Sequence, residues 1–186
     1  EVSLPTHNVS IGNPYQALQN RVAYVPKDRD GEALMMGASI QNNFCLPSVE
    51  TLKGRFGFLS PKKLYQASSK AREQFSVKST GVDQLMRALS GGNKQKVNLG
   101  RWLIKDLDVL IVDCPTRGVD IGVKAYIYQC LREAKEKGMA ILLITDELSE
   151  VLGMADTIAV MKDGEICKLL PRSAELSEET IIEVMT

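Results

Sequence analysis

The stretch VLIVDCPTRGVD, Val109 to Asp120, decides how the rest of the chain reads. Four β-prone apolar residues run into Asp113, the pattern of a strand buried on both faces that delivers an acid at its carboxyl end. The next residue is Cys114, and a turn then leads to Asp120, which heads a helical pattern as an N-cap. In that pattern, IGVKAYIYQCLREAKEKG, Val123, Ile127, Leu131 and Ala134 fall on one face, and Gly138 stands where a C-cap belongs. MAILLIT (Met139 to Thr145) supplies the next strand, so the segment reads as strand, helix, strand.

Working outward, ELSEVLGMAD places Leu148, Val151, Leu152 and Ala155 at helical spacing. TIAVM and EICKLL read as two strands joined by an Asp163-Gly164 turn, and a short helix is expected from Ser177. Upstream, RVAYV (Arg21 to Val25) is the first core strand. Between it and the sheet's remainder, Pro26 to about Ala88 is polar and glycine-rich, with a helix-prone patch at PKKLYQASSKAREQF, and reads as a helical insertion. No sustained heptads, internal repeats or low-complexity linkers appear.

The 186 residues suffice for one domain with a buried core, and 44% are hydrophobic. Lysines plus arginines equal aspartates plus glutamates at 23 each, so no net field recruits nucleic acid or an anionic membrane, although local patches remain free to do so. No apolar run approaches a membrane span, and no signal-peptide layout opens the chain, which reads as cytosolic. Cys45, Cys114, Cys130 and Cys167 show no C-x-x-C spacing, so reduced thiols are expected and a zinc site is not. The single histidine, His7, has no second histidine to share a metal and reads as a surface imidazole.

ALSGGNKQKVNLGRWLIKD places Ser90, Gly91 and Gly92 ahead of a helical pattern through Val97, Leu103 and Ile104. Paired glycines let a backbone approach a ligand, and free N–H groups at a helix start attract phosphate oxygens. Alone, Ser-Gly-Gly is more often a loop and a cap, and an acid ending a strand is common.

In this order and proximity, however, LSGGNKQKV, VLIVD and PTRGVD together resemble the ATP-binding cassette (ABC) ATPases over nearly the whole chain. The first resembles their signature motif, with Asn93 for the usual glutamine. The second resembles Walker B, with Asp113 holding Mg2+ through water, and the third, ending in Asp120, the D-loop. The resemblance implies an α/β fold, a P-loop NTPase-like parallel sheet flanked by helices, with a helical subdomain inserted after the first core strand. Residues 1–27 and 107–186 would form the core lobe and residues 28–106 the helical subdomain, with the signature at its end. YVPKDRDGEAL, PTRGVDIGVKAYIY and ELSEVLGMADTIAVMKDGEI further resemble the second nucleotide-binding domain of tandem ATPases in ribose- and xylose-type importers, with nucleoside importers as the rival. Lys27 would then hold the Q-loop position. ATP and Mg2+ would be shared with a second ABC ATPase domain in a head-to-tail pair, in the same full-length chain. The helical subdomain would meet an integral-membrane permease at the inner face of the membrane, with no nucleic acid involved.

The resemblance also has breaks. No G-x-x-x-x-G-K-[ST] occurs in the sequence, so the Walker A part is expected upstream of Glu1, and the chain alone is expected to bind ATP poorly and turn over none. Working members carry a water-activating glutamate where Cys114 stands, and a thiol is a shorter and weaker acceptor. The switch histidine falls at Asp146, an acid that repels a terminal phosphate. Three positions around that phosphate, Lys27, Cys114 and Asp146, have thus lost the usual groups, while Ser90, Gly91, Gly92 and Asn93 keep the signature. The expectation is a degenerate own site whose signature completes the partner's site. A non-catalytic interaction module and a soluble ABC protein of DNA repair or translation are the competing readings.

Overall fold

A computed structural model describes residues 2–4, 9–173 and 176–185, and His7 lies outside the described residues. The chain divides into two compact units, residues 1–142 and 143–186.

The first unit opens with an antiparallel pair, β1 (Val2–Leu4) and β2 (Val9–Ile11). Helix α1 (Pro14–Gln19) follows because Asn13 caps it, its side chain accepting from the Gln16 N–H, and Pro14 presets the first helical φ. Strand β3 (Val22–Val25) then pairs in parallel with β4 (Val109–Asp113), in the register Val22 to Val109 through Val25 to Val112. Ala23, Val25, Leu110 and Val112 share the buried face, whereas Tyr24, on the other face, is half exposed. Exposed Arg21 anchors the start of this pair, meeting Asp106 at 2.6 Å and Asp108 at 3.1 Å. The sheet order is β3, β4, β5 (Ala140–Ile144), and the boundary between the units falls inside β5.

Between β3 and β4 the described residues form helices, turns and isolated bridges only. A π turn (Arg29–Ala33) is capped by Asp28. Helices α2 (Ile40–Cys45), α3 (Val49–Leu52), α4 (Pro61–Gln74) and α5 (Gly91–Leu103) follow. Phe44 and Phe75 stack with ring centroids 6.4 Å apart at the centre of this layer. Gly100 of α5 lies against both rings, and a Cβ there would come within 2.7 Å of Phe75. This close approach explains a glycine in a helix interior, where it otherwise costs about 1 kcal/mol.

The face that α5 buries differs from the expected one. Val97 and Leu99 are buried, but Ile104 is 37% exposed, and Gln95, Asn98 and Arg101 are buried in its place. Helix α6 (Ile121–Glu136) buries Ile127, Leu131 and Ala134 as the sequence pattern predicts, together with Cys130, while Val123 is only partly buried. Its end is a Schellman motif: Gly138 N–H donates to Lys135 O at 2.8 Å and Met139 N–H to Ala134 O at 3.2 Å, with Gly138 at φ 95°.

The second unit contains α7 (Leu148–Met154), an antiparallel pair β6 (Thr157–Lys162) and β7 (Glu165–Pro171), and α8 (Glu178–Met185). Asp163 and Gly164 both take positive φ, 52° and 85°, as a type I′ hairpin turn requires. Ile158, Val160 and Ile181 form its core, flanked by Leu148, Val151 and Leu152.

Candidate functional site

Three chain segments of the first unit build the site: the carboxyl end of β3 with the loop after it, the head of α5, and the carboxyl end of β4 with the turn to α6. This is where parallel α/β sheets place ligands. Two adjoining hollows lie there. The larger, about 490 Å3, is lined by Tyr24, Lys27, Asp28, Glu32, Asp113 and Arg117. The smaller, about 260 Å3, includes Lys27, Arg29, Gln95 and Cys114 in its wall. Lys27, Asp113 and Cys114, named separately from sequence, are thus brought together.

Tyr24 Oη donates to Asp113 Oδ2 at 3.2 Å. Burial raises the Tyr24 phenol above its ordinary pKa, and the Asp113 charge and hydrogen bond push in the same direction, so the phenol stays a donor. Cys114 is buried and holds a left-handed backbone, φ 44°, and the Arg117 N–H donates to its carbonyl at 3.1 Å. None of the four cysteines, all of them among the described residues, is in a disulfide.

The head of α5 is exposed at Ser90 and tightly braced behind it. Ser90 caps the helix, and its Oγ accepts from Asn93 Nδ2 at 2.9 Å, while Asn93 Oδ1 accepts from the Lys78 N–H at 2.8 Å. Asn93 thereby fixes both the cap and the preceding loop. Arg29 donates to Gly91 O at 3.0 Å, Lys94 pairs with Asp30 at 3.0 Å, and Gln95 donates to Pro115 O at 2.7 Å in a buried bond. Gly92 faces α6 so closely that a Cβ would meet Val123 at 2.7 Å. Asp120, heading α6, accepts from the Val123 N–H at 2.9 Å. Asp146 lies in the second unit, exposed, in the turn between β5 and α7.

Tyr24, Arg29, Asp30, Lys94 and Gln95 escaped the sequence reading. The Arg29–Gly91 and Asp30–Lys94 contacts each span more than sixty residues, and only the run DRD after Lys27 hinted at a strut.

Partial burial disfavours the Asp30 charge, but Arg29 and Lys94 outweigh it and hold the carboxyl below its ordinary pKa. The resulting stabilisation is present above the unfolded-state pKa and is lost as pH falls through the lowered folded value. Asp30 is 44% exposed, so Asp30→Asn is expected to cost under about 1 kcal/mol at neutral pH. The gap between parent and variant should close in acid, as denaturant titrations across pH will show.

The residues fit nucleotide chemistry only in part. Asp113 opens into a hollow beside Lys27 and Arg117, a setting for a magnesium ion held through water by one carboxylate. No cluster of three or more His, Cys, Asp or Glu side chains placed to hold a metal exists among the described residues. The N–H groups at the head of α5 suit a phosphoryl oxygen. When bound, magnesium and the nucleotide supply the electrophilic phosphorus and its charge neutralisation.

The family model described as ABC transporter matches residues 2–117. The chain belongs to the ABC transporter family. It is 38% identical to the ribose import ATP-binding protein RbsA of Lactococcus lactis over 96% of this chain and 36% of that protein. It is 36% identical to the L-arabinose transport ATP-binding protein AraG of Geobacillus stearothermophilus, over 96% of this chain and 34% of that one. The chain therefore spans about a third of the length of these relatives. Among solved structures, the dimeric post-hydrolysis cassette MJ0796 with ADP and Pi superposes with TM-score 0.73 at 18% identity, covering 90% of this chain and 70% of that one. The fold is that of an ABC ATPase cassette, with a sheet flanked by helices.

Proposed function

We propose that this chain is the energy-coupling part of a monosaccharide importer's ATPase, degenerate at its own catalytic site, and that it completes a partner cassette's ATP site through Ser90, Gly91, Gly92 and Asn93. One contrast carries the reading: the head of α5 is solvent-facing and held by four separate braces, while the position after Asp113 is a buried thiol in a left-handed turn. A helix head rigid toward solvent suits a ligand carried by another subunit. A buried thiol cannot orient a water as a carboxylate does.

In this reading Asp113 holds magnesium through water, Lys27 sits at the Q-loop position, Asp120 at the D-loop and Asp146 at the switch position. Residues 28–106 form the helical subdomain that meets an integral-membrane permease, with the assembly peripheral on the inner face of the membrane. The relatives named for ribose and arabinose point to a monosaccharide as cargo. No helix among the described residues is long and apolar enough to cross a membrane.

The test is association with the partner cassette, followed by light scattering with and without ATP and magnesium. ATP-dependent pairing is the expected result. Pairing of equal strength without nucleotide would favour a purely architectural module.

A further inference from the structure

Thr51 to Arg72 carries Lys53, Arg55, Lys62, Lys63, Lys70 and Arg72 and no acid, in a chain of zero net charge. Within it, Lys53 and Leu59 close a small loop as antiparallel bridge partners, and the Gly54 N–H donates to Phe58 O at 2.8 Å. The loop displays Phe56 at 84% and Phe58 at 76% exposure, and Leu59 and Tyr65 are exposed beside them in sequence.

Two features of this tip are unfavourable inside the chain itself. Phe56 takes φ 68°, a region bulky residues rarely occupy, and burial does not compensate it. Its ring meets the Arg55 guanidinium, 5.3 Å from the centroid. Lys62 and Lys63 stand in the first turn of α4, which holds no acid, so their charges oppose the helix dipole. Neither makes an ion pair among the described residues, whereas Lys53 meets Glu50. An anionic, apolar-accepting surface would bury the exposed Phe56 ring and offset the Lys62 and Lys63 charges at once.

We propose that the Lys53–Leu59 loop with the start of α4 seats on an anionic lipid surface, the Phe56 and Phe58 rings entering the interface and Arg55, Lys62 and Lys63 facing the headgroups. Stable attachment to a bilayer takes two signals, apolar insertion plus a basic patch, and this tip holds both within eleven residues of sequence, Lys53 to Lys63. Two neighbouring exposed rings among cations favour lipid over protein here, since lipid needs no matching pocket. The proposal is independent of nucleotide.

The test is sedimentation of the protein, without ATP, with vesicles of phosphatidylcholine or of equimolar phosphatidylcholine and phosphatidylserine. Binding to the anionic vesicles is expected to exceed binding to the neutral ones about tenfold or more, given about one tenfold step for every one to two basic contacts. The variants F56S/F58S and K62E/K63E should each lose most of that binding and keep the parent's circular dichroism. Equal binding to both vesicle types, or parent-like binding by both variants, overturns the proposal. So does a photo-crosslinker at position 56 that captures, in native membranes, a permease subunit and no lipid.

Discussion

Ser90→Glu is expected to lower the ATP turnover of the assembled transporter by about a hundredfold or more, the loss seen when one group that stabilises a transition-state anion is removed. Ser90 caps α5 and faces solvent, so the new carboxylate would meet the terminal phosphate that the proposed function places against Ser90 and Gly91. Cys114→Ala should leave turnover little changed, because the thiol is buried and a methyl group fits the same space. A steady-state phosphate-release assay on both variants decides the point. If Cys114→Ala abolished turnover and Ser90→Glu did not, the assignment of the two half-sites would be reversed. Loss of the cap alone costs about 1 kcal/mol of stability, which a melting curve separates from lost turnover.

The largest effect on stability is expected at Phe44. Its ring is fully buried, stacks on Phe75 and lies against Gly100, and three helices converge there. Phe44→Ala should cost about 3 to 5 kcal/mol, on the order of 10 °C in Tm for a chain of this size. Phe56→Ala is the contrasting control: at 84% exposure it should stay within about 0.5 kcal/mol of the parent. Calorimetry on the pair measures the difference directly.

The elements with local signals were legible. Asp113 at the end of β4, the Asp120 cap, the apolar face of α6 and the Gly138 ending follow from period and cap chemistry within a few residues. What failed depended on partners distant in sequence. Gln95 is buried because Pro115 offers it a carbonyl, and Asn98 and Arg101 are buried where an apolar helix face was expected. Burial lowers the Arg101 guanidinium pKa to about 10, and its Nε has no hydrogen-bond partner among the described residues. No window of sequence signals such a placement, because it runs against the hydropathy pattern. In the site, Ser90 was nameable from its glycine pair heading a helix, and Cys114 and Lys27 from the resemblance to the family. The Tyr24 phenol on Asp113 was not, since it needs the parallel register of β3 and β4.

The Gln95 amide gives the molecule a kinematic constraint. It sits one turn into α5 and is fastened to the loop that leaves Asp113, so a buried bond ties the head of α5, which the proposed function turns toward a partner cassette, to the wall of the chain's own hollow. Sliding one without the other would strand the Pro115 oxygen away from water, a penalty of about 1 to 3 kcal/mol. Under the proposed function, a half-site without bond cleavage would remain a mechanical reporter, because whatever fills or empties it would drag the other edge along.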